Sequence, residues 1–80
     1  MRIEMDVGLY PFADGGDLHP VSDFIELLEQ RGCKVEKGRT SLFVTGESVT
    51  VFEAVRTGYE ETAAKFGCVL LIKVCNACAL

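Results

Sequence analysis

Four cysteines, one histidine and two carboxylates on one strand face are the side chains of this sequence with most chemistry to offer. Cys75-x-x-Cys78 has the spacing at which paired thiolates clamp zinc or a soft metal, or cycle as a dithiol. Two sulfurs make half a site. Cys33 and Cys68 stand far off in sequence, and the single histidine, His19, completes no zinc-finger spacing. The plainer reading is a pair of small thiols at a strand end, with no metal expected. His19 precedes Pro20, and no serine or cysteine nucleophile sits in a recognisable motif, so a surface or capping role outweighs general-base catalysis. Gly15-Gly16 ahead of a helix can admit a phosphate, but Asp14 and Asp17 flank it and neither G-x-G-x-x-G nor G-x-x-x-x-G-K-[ST] occurs. No enzyme and no nucleotide cofactor is expected.

Binding residues are easier to nominate. Glu4 and Asp6 share a strand face and can meet a cationic or amino-bearing ligand, or pair with Lys73 on a neighbouring strand, the reading favoured here. Thr40, Ser41 and Asn76 put short neutral donors and acceptors at strand ends. With Tyr10 they can offer hydrogen bonds and a ring face to a flat heterocycle in a mostly apolar pocket. Asp14, in the acidic first loop, is by default a solvated turn residue whose loop position leaves a ligand role open.

The elements that must carry these residues follow from periodicity. Residues 2–10 alternate, with Ile3, Met5, Val7 and Leu9 on one side, which is a strand. Pro20 opens a helix with Val21, Phe24, Leu27, Leu28 and Ile25 inward, and Gly32 stops it. Two short strands, Cys33 to Lys37 and Ser41 to Glu47, form a hairpin across Lys37-Gly38-Arg39. Ser48 is the expected N-cap of a long helix, with Thr50 and Glu53 a second possible capping box. That helix buries Phe52, Val55, Tyr59, Ala63 and Phe66 and ends at Gly67. Val69 to Asn76 closes as a strand.

The order β-α-β-β-α-β predicts an α+β, ferredoxin-like sandwich with antiparallel sheet order 4-1-3-2 and both helices on one face, occupying residues 1–80 as a single domain. Heavy-metal-transfer domains share this arrangement but carry a CxxC after the first strand, where this chain reads Asp14-Gly15-Gly16-Asp17. The other sheet face has no cover and presents Glu4, Asp6, Gly8, Tyr10, Phe43, Thr45, Leu71, Lys73 and Cys75. Tyr10, Phe43 and Leu71 are too apolar for open water, so a homo-oligomer, dimer or tetramer, is expected through this face.

Eighty residues, 49% apolar and 25% charged, suffice for one core and rule out a disordered chain. A net charge of −4 with no basic stripe excludes nucleic acid as an expected partner. Acids at Glu4 and Asp6 interrupt any signal peptide, and the longest apolar run, Cys68 to Ile72, falls far below the roughly 20 residues of a membrane span. The expectation is a soluble cytoplasmic protein with all four cysteines reduced.

Leu9-Tyr10-Pro11-Phe12-Ala13-Asp14, Ser41-x-x-Val44-x-Gly46, Val51-Phe52-Glu53-Ala54-Val55 and Val74-Cys75-Asn76-Ala77-Cys78 resemble the YkoF-like thiamine and hydroxymethylpyrimidine binding family over nearly the whole chain. The resemblance implies a ferredoxin-like domain that binds the thiamine pyrimidine without chemistry, in salvage, transport or sensing, and relatives that join two such domains make self-association of this one understandable. By similarity, the Leu9-Tyr10-Pro11 strand end and the Thr40-Ser41 strand start are pocket candidates, with Asn76; Tyr10 or Phe52 would stack on the ring. The competing readings are a structural or regulatory oligomeric domain without a small ligand, and thiol-dependent metal binding through Cys75 and Cys78.

Overall fold

A computed structural model of the chain describes residues 1–12 and 19–77. Its elements are β1 (Arg2–Pro11), α1 (Pro20–Gln30), β2 (Lys34–Lys37), β3 (Leu42–Glu47), α2 (Ser48–Ala63) and β4 (Cys68–Cys75). All neighbouring strands are antiparallel in the order β2-β3-β1-β4, the expected 4-1-3-2 read from the other edge. The fold is α+β and ferredoxin-like.

Period-two alternation does what the sequence leads one to expect. Ile3, Met5, Val7 and Leu9 of β1 are buried with Leu42 and Val44 of β3, against Phe24, Ile25 and Leu28 of α1 and Val51, Ala54 and Val55 of α2. Both helices therefore cover one sheet face. Helix α1 has Pro20 in its first turn, where a missing N–H costs no hydrogen bond. It ends in a Schellman motif: Gly32 (φ +91°) and Cys33 donate their N–H groups to the carbonyls of Glu29 and Leu28, which also seats Cys33 in the core.

Two local expectations are corrected. Glu47, not Ser48, is the N-cap of α2, and it makes no side-chain capping bond; the Ser48 N–H donates to the Met1 carbonyl at 2.8 Å instead. A contact from Met1, just ahead of β1, thus satisfies one of the free N–H groups at the start of the helix. The buried stripe of α2 is Val51, Ala54, Val55, Gly58 and Thr62, so Phe52 turns outward. The cause is the crossing of α1: Phe24 packs on Gly58 so closely that a Cβ there would lie 2.7 Å from two ring carbons. The buried Thr62 hydroxyl is satisfied by donating to the Gly58 carbonyl at 2.8 Å.

The two sheet borders differ. Strand β2 is short and carries Lys34, Glu36 and Lys37, whereas β4 runs for eight residues with Lys73 its only charge. Among the described residues, no helix is long and apolar enough to cross a membrane.

Candidate functional site

The site begins where the sheet runs out. The ladder of β1 with β3 stops at Val7↔Leu42, while its ladder with β4 continues through Gly8, Leu9 and Tyr10 to Pro11. From Gly8 onward β1 therefore lacks a strand on its β3 side, and the β2–β3 connection bends away there. That bend is pinned by the Gly38 N–H donating to the Ser41 carbonyl at 2.8 Å, which holds Thr40 and Ser41 opposite the end of β1.

A cleft of about 270 Å³ opens in this notch. Val7, Leu9, Val21, Ile25 and Leu42 give it apolar walls, and Tyr10, Ser22, Lys37, Thr40 and Ser41 supply the polar groups. A second cleft, of about 170 Å³, lies on the uncovered sheet face and is lined by Asp6, Gly8, Tyr10, Thr40, Ser41, Leu71 and Lys73. The two share Gly8, Tyr10, Thr40 and Ser41. The Tyr10 ring folds back over Gly8, where a Cβ would stand 2.6 Å from the Tyr10 Oη and 2.8 Å from Cζ, and the ring is 46% exposed. An accessible aromatic surface beside short hydroxyl groups suits a flat polar ring.

Of the six residues nominated from sequence, Tyr10, Thr40 and Ser41 meet here. Asp14 lies outside the described residues. Asn76 follows Cys75, whose strand partner is Glu4, whereas Tyr10 pairs with Val69. Six strand residues, about 20 Å at 3.4 Å each, separate the two ends. Phe52, 45% exposed in the second turn of α2, lines neither cleft. The antiparallel course of β1 and β4 makes this separation unavoidable for Asn76. Ser22, Lys37 and Gly8 were not singled out as ligand contacts; their part depends on where β3 stops, which no local motif marks.

The open face holds the expected residues, with Leu71 61% exposed. Asp6 stands directly across from Lys73, but the anticipated ion pair does not form, and neither Glu4 nor Asp6 has an ionic partner among the described residues. An exposed lysine ammonium gains more from water than from a neighbouring carboxylate in such a setting. His19 is exposed at the N-cap position of α1, where its carbonyl, not its side chain, accepts the Asp23 N–H at 3.0 Å.

No group of three or more metal-ligating side chains forms among the described residues. Cys75 is disulfide-bonded, which corrects the expectation of four thiols, while Cys33 and Cys68 are free. That expectation rested on compartment alone, which residue spacing does not fix. An oxidised sulfur offers no thiolate to a metal, so this state does not suit the Cys75–Cys78 metal reading; Cys78 lies outside the described residues. Burial raises the Cys33 thiol above its ordinary pKa, as expected of a core residue that serves packing.

No protein-family model matches the sequence, and no curated protein matches it. Solved structures do. A hypothetical protein of Methanocaldococcus jannascii superposes with a TM-score of 0.82 at 17% identity, over 94% of this chain and 79% of that one. A candidate thiamine biosynthesis/salvage protein of Thermotoga maritima gives 0.77 at 21% identity, over 92% and 82%. A domain of unknown function, DUF77, from Bacillus cereus gives 0.74 at 22% identity, over 92% and 74%. At these identities what the chain has in common with them is the ferredoxin-like fold.

Proposed function

We propose that this chain is a non-catalytic binding protein for a flat nitrogen heterocycle, thiamine or its hydroxymethylpyrimidine moiety, serving salvage, transport or sensing in the cytoplasm. The observation that carries the reading is the notch at the end of β1, where Tyr10, Thr40 and Ser41 converge on an apolar cleft. An aminopyrimidine needs a donor and acceptors in its own plane and a ring or aliphatic surface on its faces. The Thr40 and Ser41 hydroxyls supply the first, and Tyr10, Val7 and Leu42 the second. The resemblance in sequence and the description of the Thermotoga maritima neighbour support the choice of ligand. Binding without turnover accords with the absence of a nucleophile and base in a recognisable arrangement.

Calorimetry and thermal shift with thiamine and with hydroxymethylpyrimidine test it. Heat of binding and a raised melting temperature are expected; no heat and no shift at millimolar ligand would refute the reading.

The second part of the proposal concerns assembly. The open face combines Tyr10, Phe43 and Leu71 with both signs of charge, Asp6 and Glu36 against Lys34 and Lys73, so a second copy related by a two-fold axis can bury the apolar residues and oppose unlike charges. Sedimentation equilibrium should give a dimer or tetramer mass, and a monomer mass at every concentration would exclude it.

A further inference from the structure

The two helices border a groove that the Tyr10 notch does not reach. Its volume is about 430 Å³, larger than either cleft at Tyr10 and within the range of small-molecule sites. Helix α1 is the partition. Its Val21, Ser22 and Ile25 line the notch, whereas Pro20, Asp23, Phe24 and Leu27 line the groove, and no described residue lines both.

The groove joins an apolar floor to a negative rim. Phe24 and Leu27 of α1 and Phe66, just beyond α2, make the floor. Asp23 and Glu61 set one carboxylate on each helix, and neither has an ion-pair partner among the described residues. The groove also lies at the C-terminal end of α2, a 16-residue helix with no basic residue in its last turn. The negative pole of that helix therefore adds to the two carboxylates. Deeper in, the buried Thr62 hydroxyl donates its proton to the Gly58 carbonyl, so toward anything that enters it can only accept. Lys65 is the one base among the described lining residues; it is exposed, and its long stem carries the ammonium into water.

We propose that this groove is a second binding site, for a protonated primary amine carried on an aromatic or branched aliphatic body. The body covers the apolar floor, and the ammonium, with three donors and one positive charge, meets the carboxylates of Asp23 and Glu61. An organic cation suits the groove better than a bare ion, because a metal gains nothing from the floor and no described histidine, thiol or third carboxylate joins the two acids. A neutral molecule of the same shape keeps only the apolar contact. The site stands apart from the notch and from the open sheet face, so it depends neither on a heterocycle bound at Tyr10 nor on a second copy covering the sheet.

Phenethylamine is the probe, 2-phenylethanol its neutral counterpart, and the amide chemical shifts of the full chain are the readout. The amine should give saturable shifts at Phe24, Leu27, Gly58 and Thr62 and not at Gly8 or Ser41, with a Kd of about 1–10 mM for so small a ligand in an open groove. The alcohol should bind about two- to fivefold more weakly, the worth of an exposed charge pair. Glu61→Gln removes one exposed, unpaired carboxylate and leaves the core untouched. It should weaken the amine by a similar factor and the alcohol not at all, and Lys65→Gln should strengthen the amine alone. No saturable shift up to about 50 mM amine, shifts confined to Gly8 and Ser41, equal binding of the two compounds, or equal effects of Glu61→Gln on both would each overturn the proposal. None of these results bears on heterocycle binding in the notch, which is measured with other ligands and other residues.

Discussion

Gly58→Ala tests whether the helix crossing that positions the cleft is as tight as it looks. The new methyl would stand 2.7 Å from Cδ1 and Cε1 of Phe24, where carbon contacts are comfortable at about 3.5–4.0 Å. The ring must retreat by roughly 1 Å. Phe24 is 2% exposed and packed in the core, so its retreat disturbs the packing between the helices. Overpacking of this kind costs about 1–3 kcal/mol, and alanine returns about 1 kcal/mol through its better helix propensity. The net expectation is a loss of about 1 kcal/mol, or a fall in melting temperature of about 4–8 °C for a domain of this size. Urea and thermal unfolding measure it directly. A double variant with Phe24→Leu should lose less than the sum of the single changes, because the smaller side chain vacates the space the methyl needs. Strictly additive losses, or a Gly58→Ala protein that melts at or above wild type, would refute the packing argument. The consequence reaches function, since α1 carries Val21, Ser22 and Ile25 into the cleft wall.

Three further outcomes are expected. Gly8→Ala should drive the Tyr10 ring off its seat at little cost in stability, since the ring is half-exposed, yet weaken heterocycle binding by about 2–10-fold, the worth of one aromatic contact; unchanged affinity with a displaced ring, seen in near-ultraviolet dichroism, would remove Tyr10 from the site. Because burial raises the Cys33 pKa, the folded state favours the neutral thiol, and the stability it confers is intact below the ordinary thiol value of about 8.5 and lost as pH climbs through the raised one. Denaturation midpoints should therefore fall less between pH 8 and pH 10 in Cys33→Ala than in wild type, and parallel slopes would contradict this. Leu71→Glu, which sets a carboxylate at the most exposed apolar position of the open face, should shift the sedimenting mass to monomer, and an unchanged oligomer would show that association uses another surface.

Much of the fold was legible because alternation in β1 and the Pro20 and Gly32 boundaries of α1 are local signals. Sheet order followed from them through connection rules. Two errors in the helices share a cause, contact between distant parts of the chain. Phe52 reads as a core residue by size and spacing, but the close approach of Phe24 to Gly58 rotates α2 so that Val51, Ala54 and Val55 turn inward. Ser48 reads as a cap, but the chain turns helical one residue earlier, with Glu47 at the N-cap and the Ser48 N–H bonded to Met1. For the site, Tyr10 and Thr40-Ser41 were visible as strand ends of the right chemistry. The notch between them was not, because it exists only through the register that ends β3 at Leu42. Asn76 stands at the other end of β4 from Tyr10, as the predicted antiparallel order already implied by placing it beside Glu4.

The unequal borders of the sheet carry a hazard for handling the protein. A short margin studded with lysines and a glutamate deters a stray chain, whereas β4 offers an unbroken row of main-chain donors and acceptors between Val69, Leu71, Ile72 and Val74, all at least one-third accessible. With Lys73 the lone gatekeeper on that margin, molecules whose β4 is left bare will zip together by strand addition. Overproduction at high concentration is where that association will first show, as precipitate.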